Sequence, residues 1–267
     1  MLLEISIAAG LEILAVYNQQ EAIEFSKKAD DSPITIADKN AHHLIERRLH
    51  EWTPQIPVFS EESEAIDFST RRNWETYWLV DPLDGTKEFL KRNGEFTVNI
   101  ALVEKGVATV GVVHVPVSGI SYLGRVGVGA YKCDKEGCRK ILTSNLNIDA
   151  AVRVVASRSH RGELVDRMML DIEREIGVVE LVSMGSSLKM CLIAEGMADF
   201  YPRLAPTSEW DTAAAHAVLS AAGGSIVDTN FKELRYNQKE SLLNPYFIAM
   251  GDNSYPWQAI VRASLEA

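Results

Sequence analysis

The sequence predicts a mixed α/β protein whose two halves differ in texture, and three observations carry that prediction. Apolar residues recur at three and four positions near the N-terminus, the period of an amphipathic helix. From Phe96 to Tyr131 they alternate at period two, as in a sheet with one buried face. Beyond Ala151, short apolar runs alternate with longer helical segments, as in an α/β layer. Residues 1–145 and 146–267 are therefore expected as helices plus an antiparallel sheet and an α/β part, forming one compact unit.

The elements follow in order. Leu2 to Lys27 reads as a first helix. After a polar loop with a turn at Ser32-Pro33, Thr35 opens a second helix through His42 to about Leu49, with Asp38 in its first turn. Capping by Thr35 and dipole compensation by Asp38 are sufficient reasons for those residue types. Pro57 to Ser60 is a short strand ending in Glu61-Glu62, and Tyr77 to Val80 a buried strand ending in the turn Asp81-Pro-Leu-Asp84-Gly-Thr86. Hairpin signals at Glu104-Lys-Gly106 and Pro116-Val-Ser-Gly119 divide the meander that follows. His114 lies inside one of its strands, as a core or cross-strand partner. Gly124 to Gly129 has no following helix and reads as strand and turn, not a dinucleotide fingerprint.

Leu142 to Asp149 is polar and reads as the junction. Strands are expected at Ala151–Ala156, Val178–Ser183, Asp199–Arg203, Ser225–Asp228 and Tyr246–Met250. Helices are expected at Gly162–Ile176, Ser186–Glu195, Thr212–Ala222 and Pro256–Ala267. Glu209-Trp210-Asp211 opens the Ala-rich one, where Asp211 can serve as the N-cap or supply a carboxylate to a site elsewhere.

Composition narrows the function classes. A formal net charge of −10 argues against nucleic-acid polymers and anionic membrane surfaces as partners. No apolar run reaches the roughly 18 residues of a membrane span, and no basic-then-apolar leader opens the chain. Cys133, Cys138 and Cys191 are odd in number, and C-x4-C is not a zinc spacing, so free thiols in a reducing compartment are expected. Cytoplasm is the expected location, with peripheral contact at the inner face of the cell membrane left open.

The chemistry concentrates in Asp81 to Thr86. Two carboxylates leave the end of a strand within one turn, where Pro82 fixes a φ angle and Gly85 permits a conformation that side chains resist. Converging oxygens of this kind suit a hard cation such as Mg²⁺. Glu61-Glu62 repeats the design at a second strand end, and strand ends at one sheet edge make a shared site.

Together, D-P-L-D-G-T at Asp81–Thr86, the upstream Glu61-Glu62 and the helix start Trp210-Asp211 resemble the inositol monophosphatase superfamily of metal-dependent, lithium-sensitive phosphatases, over nearly the whole chain. Lys87-Glu88-Phe89 after D-G-T, Arg92-Asn-Gly-Glu-Phe-Thr-Val-Asn-Ile, Gly185-Ser-Ser-Leu-Lys189 and Tyr201-Pro-Arg203 narrow the resemblance to its CysQ-type 3′(2′),5′-bisphosphate nucleotidase branch. Inositol phosphatases typically carry T-N-F after D-G-T and a Gly at the position of Ser60.

The resemblance implies a layered αβαβα sandwich of the sugar-phosphatase type. It also implies hydrolysis of the 3′-phosphate of adenosine 3′,5′-bisphosphate, or of its sulfated form, in sulfur metabolism. Glu61, Asp81, Asp84 and Asp211, with the Leu83 carbonyl, would hold two or three Mg²⁺ ions, and Asp38 and Thr86 would orient the attacking water. Ser186, Lys189 and Arg203 would bind the 5′-phosphate and His160 would lie near the adenosine, with Glu61, Leu83, Asp84, Gly85, Thr86 and Asp211 completing the substrate contacts. Bound Mg²⁺ would invert the sign of the acidic site, activate water and stabilise the leaving oxygen.

Alternatives are an inositol or fructose-1,6-bisphosphate phosphatase, or a non-catalytic metal- or nucleotide-binding module. A haloacid-dehalogenase-like mechanism is disfavoured, since it needs D-x-D and Asp81 and Asp84 are three apart. The chain is expected as a monomer or homodimer.

Overall fold

Five layers stack around two sheets, and the alternation of side chains along each strand decides which layer each residue meets. The structure, a computed structural model, describes residues 1–19, 25–27, 33–156 and 162–266.

The outermost layer on one side is a helix pair, α1 (Leu2–Tyr17) and α2 (Ile36–Trp52). Ile5, Ala9 and Ile13 of α1 and Ala41, Ile45 and Leu49 of α2 recur at helical spacing and are fully buried. Contrary to the expected continuation to Lys27, α1 stops at Tyr17, and Phe25–Lys27 is a short strand, β1, antiparallel to β2 (Pro33–Thr35). The polar run Asn18-Gln19-Gln20 offers no apolar residue to extend the buried face.

Among the described residues, seven strands lie side by side in chain order: β3 (Val58–Ser60), β4 (Thr76–Asp84), β5 (Thr97–Glu104), β6 (Val107–Val115), β7 (Ile120–Arg125), β8 (Gly129–Asp134) and β9 (Gly137–Ile141). The first pair is parallel and the rest form an antiparallel meander. A short helix, α3 (Phe68–Arg71), links β3 to β4, and α4 (Thr86–Leu90) follows β4. Period-two alternation sends Trp78, Val80, Val98 and Ile100 toward α1 and α2, and Tyr77, Leu79, Ala101 and Val103 toward the middle of the molecule.

That middle layer consists of α6 (Leu188–Ala194) and α7 (Glu209–Ala222). Helix α7 approaches the meander closely because Gly111 and Gly124 are cross-strand partners beneath it. A Cβ on Gly111 would stand 2.1 Å from the Ala214 carbonyl oxygen, and one on Gly124 2.4 Å from the Val218 Cα. Gly124 is thus in a strand, as its lack of a following helix predicted, and its missing side chain is what α7 fills.

The second sheet runs in the order β11 (Val179–Ser183), β10 (Val152–Ala156), β12 (Phe200–Arg203), β14 (Phe247–Met250) and β13 (Ser225–Asp228). Its first three strands are parallel, and β14 is antiparallel to both its neighbours. Val155, Tyr201, Ala249 and Ile226 join the core around α6 and α7, while Val152, Val154, Phe200 and Ile248 pack beneath α5 (Glu163–Glu175) and α8 (Trp257–Glu266). The order helix pair, sheet, helix pair, sheet, helix pair is the αβαβα sandwich expected.

The cysteine expectation requires correction. Cys133 and Cys138 are cross-strand partners at the tip of the β8–β9 hairpin and form a disulfide. A spacing of five fails as a zinc pattern yet places two residues opposite one another across a tight hairpin. Only Cys191, which is buried, is a free thiol, so the cysteines no longer support a reducing compartment. Among the described residues, no helix is long and apolar enough to cross a membrane.

Candidate active site

The acidic site forms where β4 leaves its regular pairing. Asp81 is opposite Asn99 and Asp84 opposite Thr97, so three steps along β4 match two along β5. Pro82 cannot donate to the ladder, and the extra residue is accommodated as a bulge. In an unbroken strand Asp81 and Asp84 would face opposite sides; the bulge lets both serve one site. The turn expected after Val80 is therefore a continuation of the strand with this irregularity. Asp81 is 1% exposed, and its Oδ1 accepts the Leu83 N–H at 3.0 Å. Gly85 follows with φ 93°, a left-handed conformation suited to glycine, and Thr86 opens α4. The Thr86 hydroxyl lies 3.4 Å from both Asp38 Oδ1 and the Leu83 carbonyl.

Two helix starts bring in the remaining carboxylates. Asp38 is the third residue of α2 and closes a capping box: its Oδ2 accepts the Thr35 N–H at 2.7 Å and the Thr35 hydroxyl at 2.6 Å. Asp211 does the same in α7, where Oδ2 accepts the Ser208 N–H at 2.8 Å. Ser208 is thus the N-cap, not Asp211, because the helix begins two residues earlier than the carboxylate. Capping takes neither Asp away from the turn: Asp38 Oδ1 lies 3.4 Å from the Thr86 hydroxyl, and Asp211 has an oxygen within 4.8 Å of those of Asp81 and Asp84.

Asp81, Asp84 and Asp211 each offer an oxygen within 4.8 Å of the others. Glu61 lies outside that tightest group. Its N–H donates to the Val80 carbonyl at 3.0 Å, extending the β3–β4 pairing, and its charge is felt at Asp211. Burial pushes the Asp211 carboxyl well above its ordinary range, with the negative charges of Asp84 and Glu61 adding to the effect. An oxygen-only donor set under mutual repulsion fits a hard divalent cation, which removes the repulsion and takes carboxylate and carbonyl ligands.

The second half of the chain closes the site from the opposite side. The loop before α6 passes over Asp84, whose Oδ2 accepts the Ser187 N–H at 2.6 Å and the Ser186 hydroxyl. Ser186 adopts φ 52°, uncommon for a residue with a side chain. Beneath the loop, the Ser187 hydroxyl reaches Asn99 Oδ1 at 2.9 Å and the Thr97 hydroxyl at 3.0 Å. Glu95 accepts the Gly185 N–H at 2.8 Å. These four residues, Ser187, Asn99, Thr97 and Glu95, lie in the stretches that carry the CysQ-type resemblance, but none was assigned a role from the sequence. The available signal was Thr97 and Asn99, polar types in an alternating strand that prove to be buried.

A cavity of about 150 Å³ opens between the halves, and its lining mixes the carboxylates of Asp84, Glu88, Glu95 and Asp211 with the cations of Lys87, Lys189 and Arg203. Lys189 is 7% exposed, and its Nζ donates to the Ser186 carbonyl at 2.6 Å. Burial pulls its pKa down to about 8, with the Asp84 charge acting in the opposite direction. Arg203 donates to the Pro206 carbonyl at 2.9 Å, and its buried Nε has no hydrogen-bond partner. His160 lies outside the described residues.

The inositol monophosphatase family matches residues 2–259. The chain belongs to that family. It is therefore an enzyme of the phosphatase class, as the motifs led us to expect. The 3′(2′),5′-bisphosphate nucleotidase CysQ of Salmonella typhimurium is 47% identical over 239 residues, 90% of this chain and 94% of that protein. The Haemophilus influenzae CysQ is 37% identical over 257 residues, 96% of this chain and 93% of that protein. A crystal structure of CysQ from Bacteroides thetaiotaomicron superposes with a TM-score of 0.84 at 45% identity, covering 94% of this chain and 95% of that one. An inositol monophosphatase from Anabaena shares the fold, with a TM-score of 0.75 at 22% identity over 99% of this chain and 93% of that one.

Proposed function

We propose that the chain is a Mg²⁺-dependent 3′(2′),5′-bisphosphate nucleotidase that converts adenosine 3′,5′-bisphosphate to AMP and phosphate. The observation that carries this reading is the mixed lining of the cavity: Lys189 and Arg203 face the same space as the Asp84 and Asp211 carboxylates. A substrate with two phosphates can give one to the metal-binding carboxylates and the other to these cations, whereas an inositol monophosphate carries only one. The CysQ relatives, at up to 47% identity over most of both chains, support the same substrate class.

Glu61, Asp81, Asp84, Asp211 and the Leu83 carbonyl would hold the ions. Bound Mg²⁺ supplies charge compensation, a more acidic water and stabilisation of the leaving oxygen. The protein supplies positioning. Asp38, held by Thr35 through one oxygen, presents the other toward Thr86, so the pair can orient a water and receive its proton. Asp84 is kept from rotating by Ser187 and Ser186. Lys189 and Arg203 anchor the phosphate that is not cleaved, converting its binding energy into placement of the one that is.

Phosphate release is measured from adenosine 3′,5′-bisphosphate, its 5′-sulfated form, inositol 1-phosphate and fructose 1,6-bisphosphate, with Mg²⁺ and with chelator. A preference for the nucleotides, abolished by chelation, is expected. Lys189→Met should raise KM for the bisphosphate by roughly 10- to 100-fold, the value of a charge-assisted contact, and leave KM for inositol 1-phosphate unchanged. Equal loss on both substrates would remove Lys189 from the substrate pocket, and preference for a sugar phosphate would remove the nucleotide assignment.

A further inference from the structure

Helix α2 carries Asp38 at its start and, one turn further on, a second group of metal-ligating side chains with different chemistry. His42, His43 and Glu46 each offer a ligand atom, all within 4.8 Å of one another. The acidic centre gathers oxygens alone. This group combines two imidazoles with a carboxylate, a donor set for a borderline ion of the Zn²⁺ type and a poor one for Mg²⁺.

His42 is arranged as a ligand of that kind. It is only 6% exposed, and its Nδ1 lies 3.0 Å from the Ser60 hydroxyl, which fixes the ring plane. Nε2 faces Glu46 at 3.8 Å, too far for a hydrogen bond, and makes none among the described residues. A metal-bound histidine typically has its far nitrogen held by an oxygen, which leaves the lone pair of the near nitrogen for the ion. An ion pair with Glu46 would need a protonated ring, whereas burial lowers the His42 pKa and favours the neutral form.

The rest of the group supplies reach and access. The His43 ring centroid is 5.0 Å from that of His42. His43 and Glu46 are exposed and, with His50 one turn beyond, line a surface cavity of about 540 Å³. An ion can enter from solvent and keep a water in its remaining position.

We propose that His42, His43 and Glu46 form a second metal site, separate from the acidic centre, that takes a single Zn²⁺-like ion. The test uses the full chain with excess Mg²⁺ occupying the acidic centre. Zn²⁺ binding is followed by calorimetry and Co²⁺ binding by visible absorption. One equivalent of Zn²⁺ is expected, and Co²⁺ should give the absorption bands of a low-coordinate nitrogen and oxygen environment. His43→Ala and Glu46→Gln alter exposed side chains outside the catalytic machinery. Each should weaken Zn²⁺ binding by more than about tenfold and leave Mg²⁺-supported turnover unchanged. Zn²⁺ binding that is equally tight in both variants, or absent in the presence of Mg²⁺, overturns the proposal.

Discussion

The Ser187 N–H donates to Asp84 Oδ2 at 2.6 Å, joining residues 103 positions apart. The contact makes a carboxylate of the first sheet depend on a loop that leads out of the second. Thr97 supports the loop from below through the Ser186 and Ser187 hydroxyls, at 2.6 and 3.0 Å. Thr97→Val keeps the shape and removes both contacts. The Mg²⁺ concentration giving half-maximal phosphate release should rise roughly 10- to 100-fold, as for other losses behind a metal ligand. An unchanged requirement would show that Asp84 holds its orientation without the loop.

Removing the metal should affect stability as well as turnover. With Asp81, Asp84 and Asp211 offering oxygens within 4.8 Å, chelation leaves their repulsion uncompensated. Mg²⁺ at about 100 times its Kd should stabilise the fold by about 2.7 kcal/mol, or roughly 5–10 °C in a melting scan. Asp84→Asn should lower turnover by on the order of 10²-fold or more and reduce the Mg²⁺-dependent melting increment. A full increment in that variant would place the ion elsewhere.

Gly111→Ala tests how closely α7 must approach the meander. The new methyl would meet the Ala214 carbonyl at 2.1 Å, and because the obstacle is backbone, no side-chain rotation relieves it. A loss of about 1–3 kcal/mol is expected from the shift in the urea midpoint. Since α7 also carries Asp211, activity should fall at denaturant concentrations that leave the protein folded. A midpoint within error of the parent would mean that the helix can shift freely.

Acid should destabilise the fold through two buried histidines. His114 pairs through Nδ1 with the Ser121 hydroxyl and His216 with the Tyr236 hydroxyl, each at 2.8 Å. Burial lowers each pKa from 6.5 to about 4. The unfolded chain therefore binds more protons between these values. The stabilisation is complete above pH 6.5 and is lost as pH falls toward about 4, on the order of 2–3 kcal/mol for each ring. Urea midpoints between about pH 7.5 and 4.5 should decline less steeply in His216→Gln than in the parent; parallel curves would contradict this assignment.

Much of this architecture was legible in the sequence because it follows from period. The alternation from Phe96 and the strand and helix segments beyond Ala151 match observed elements closely. The carboxylates were legible because Asp-Pro-Leu-Asp-Gly-Thr combines a residue without a donor and one suited to positive φ. Less visible were features that depend on tertiary partners. Nothing local marks Ser187 as the donor to Asp84, and only the hairpin register places Cys133 opposite Cys138. The end of α1 was missed because the polar run Asn18-Gln19-Gln20, which interrupts the apolar spacing, was read as part of the helix.

Asp38 and Asp211 each tie one oxygen to the backbone N–H that precedes their helix, and this restricts how those positions can vary. Asparagine could accept the same N–H but would bring no charge to the centre. Glutamate would bring the charge on a longer arm, shifting either the cap or the oxygen that faces the site. A substitution that serves the chemistry alone frays a helix, and one that serves the helix alone removes a charge from the site. Aspartate satisfies both demands, and a replacement at either position that keeps one of them loses the other.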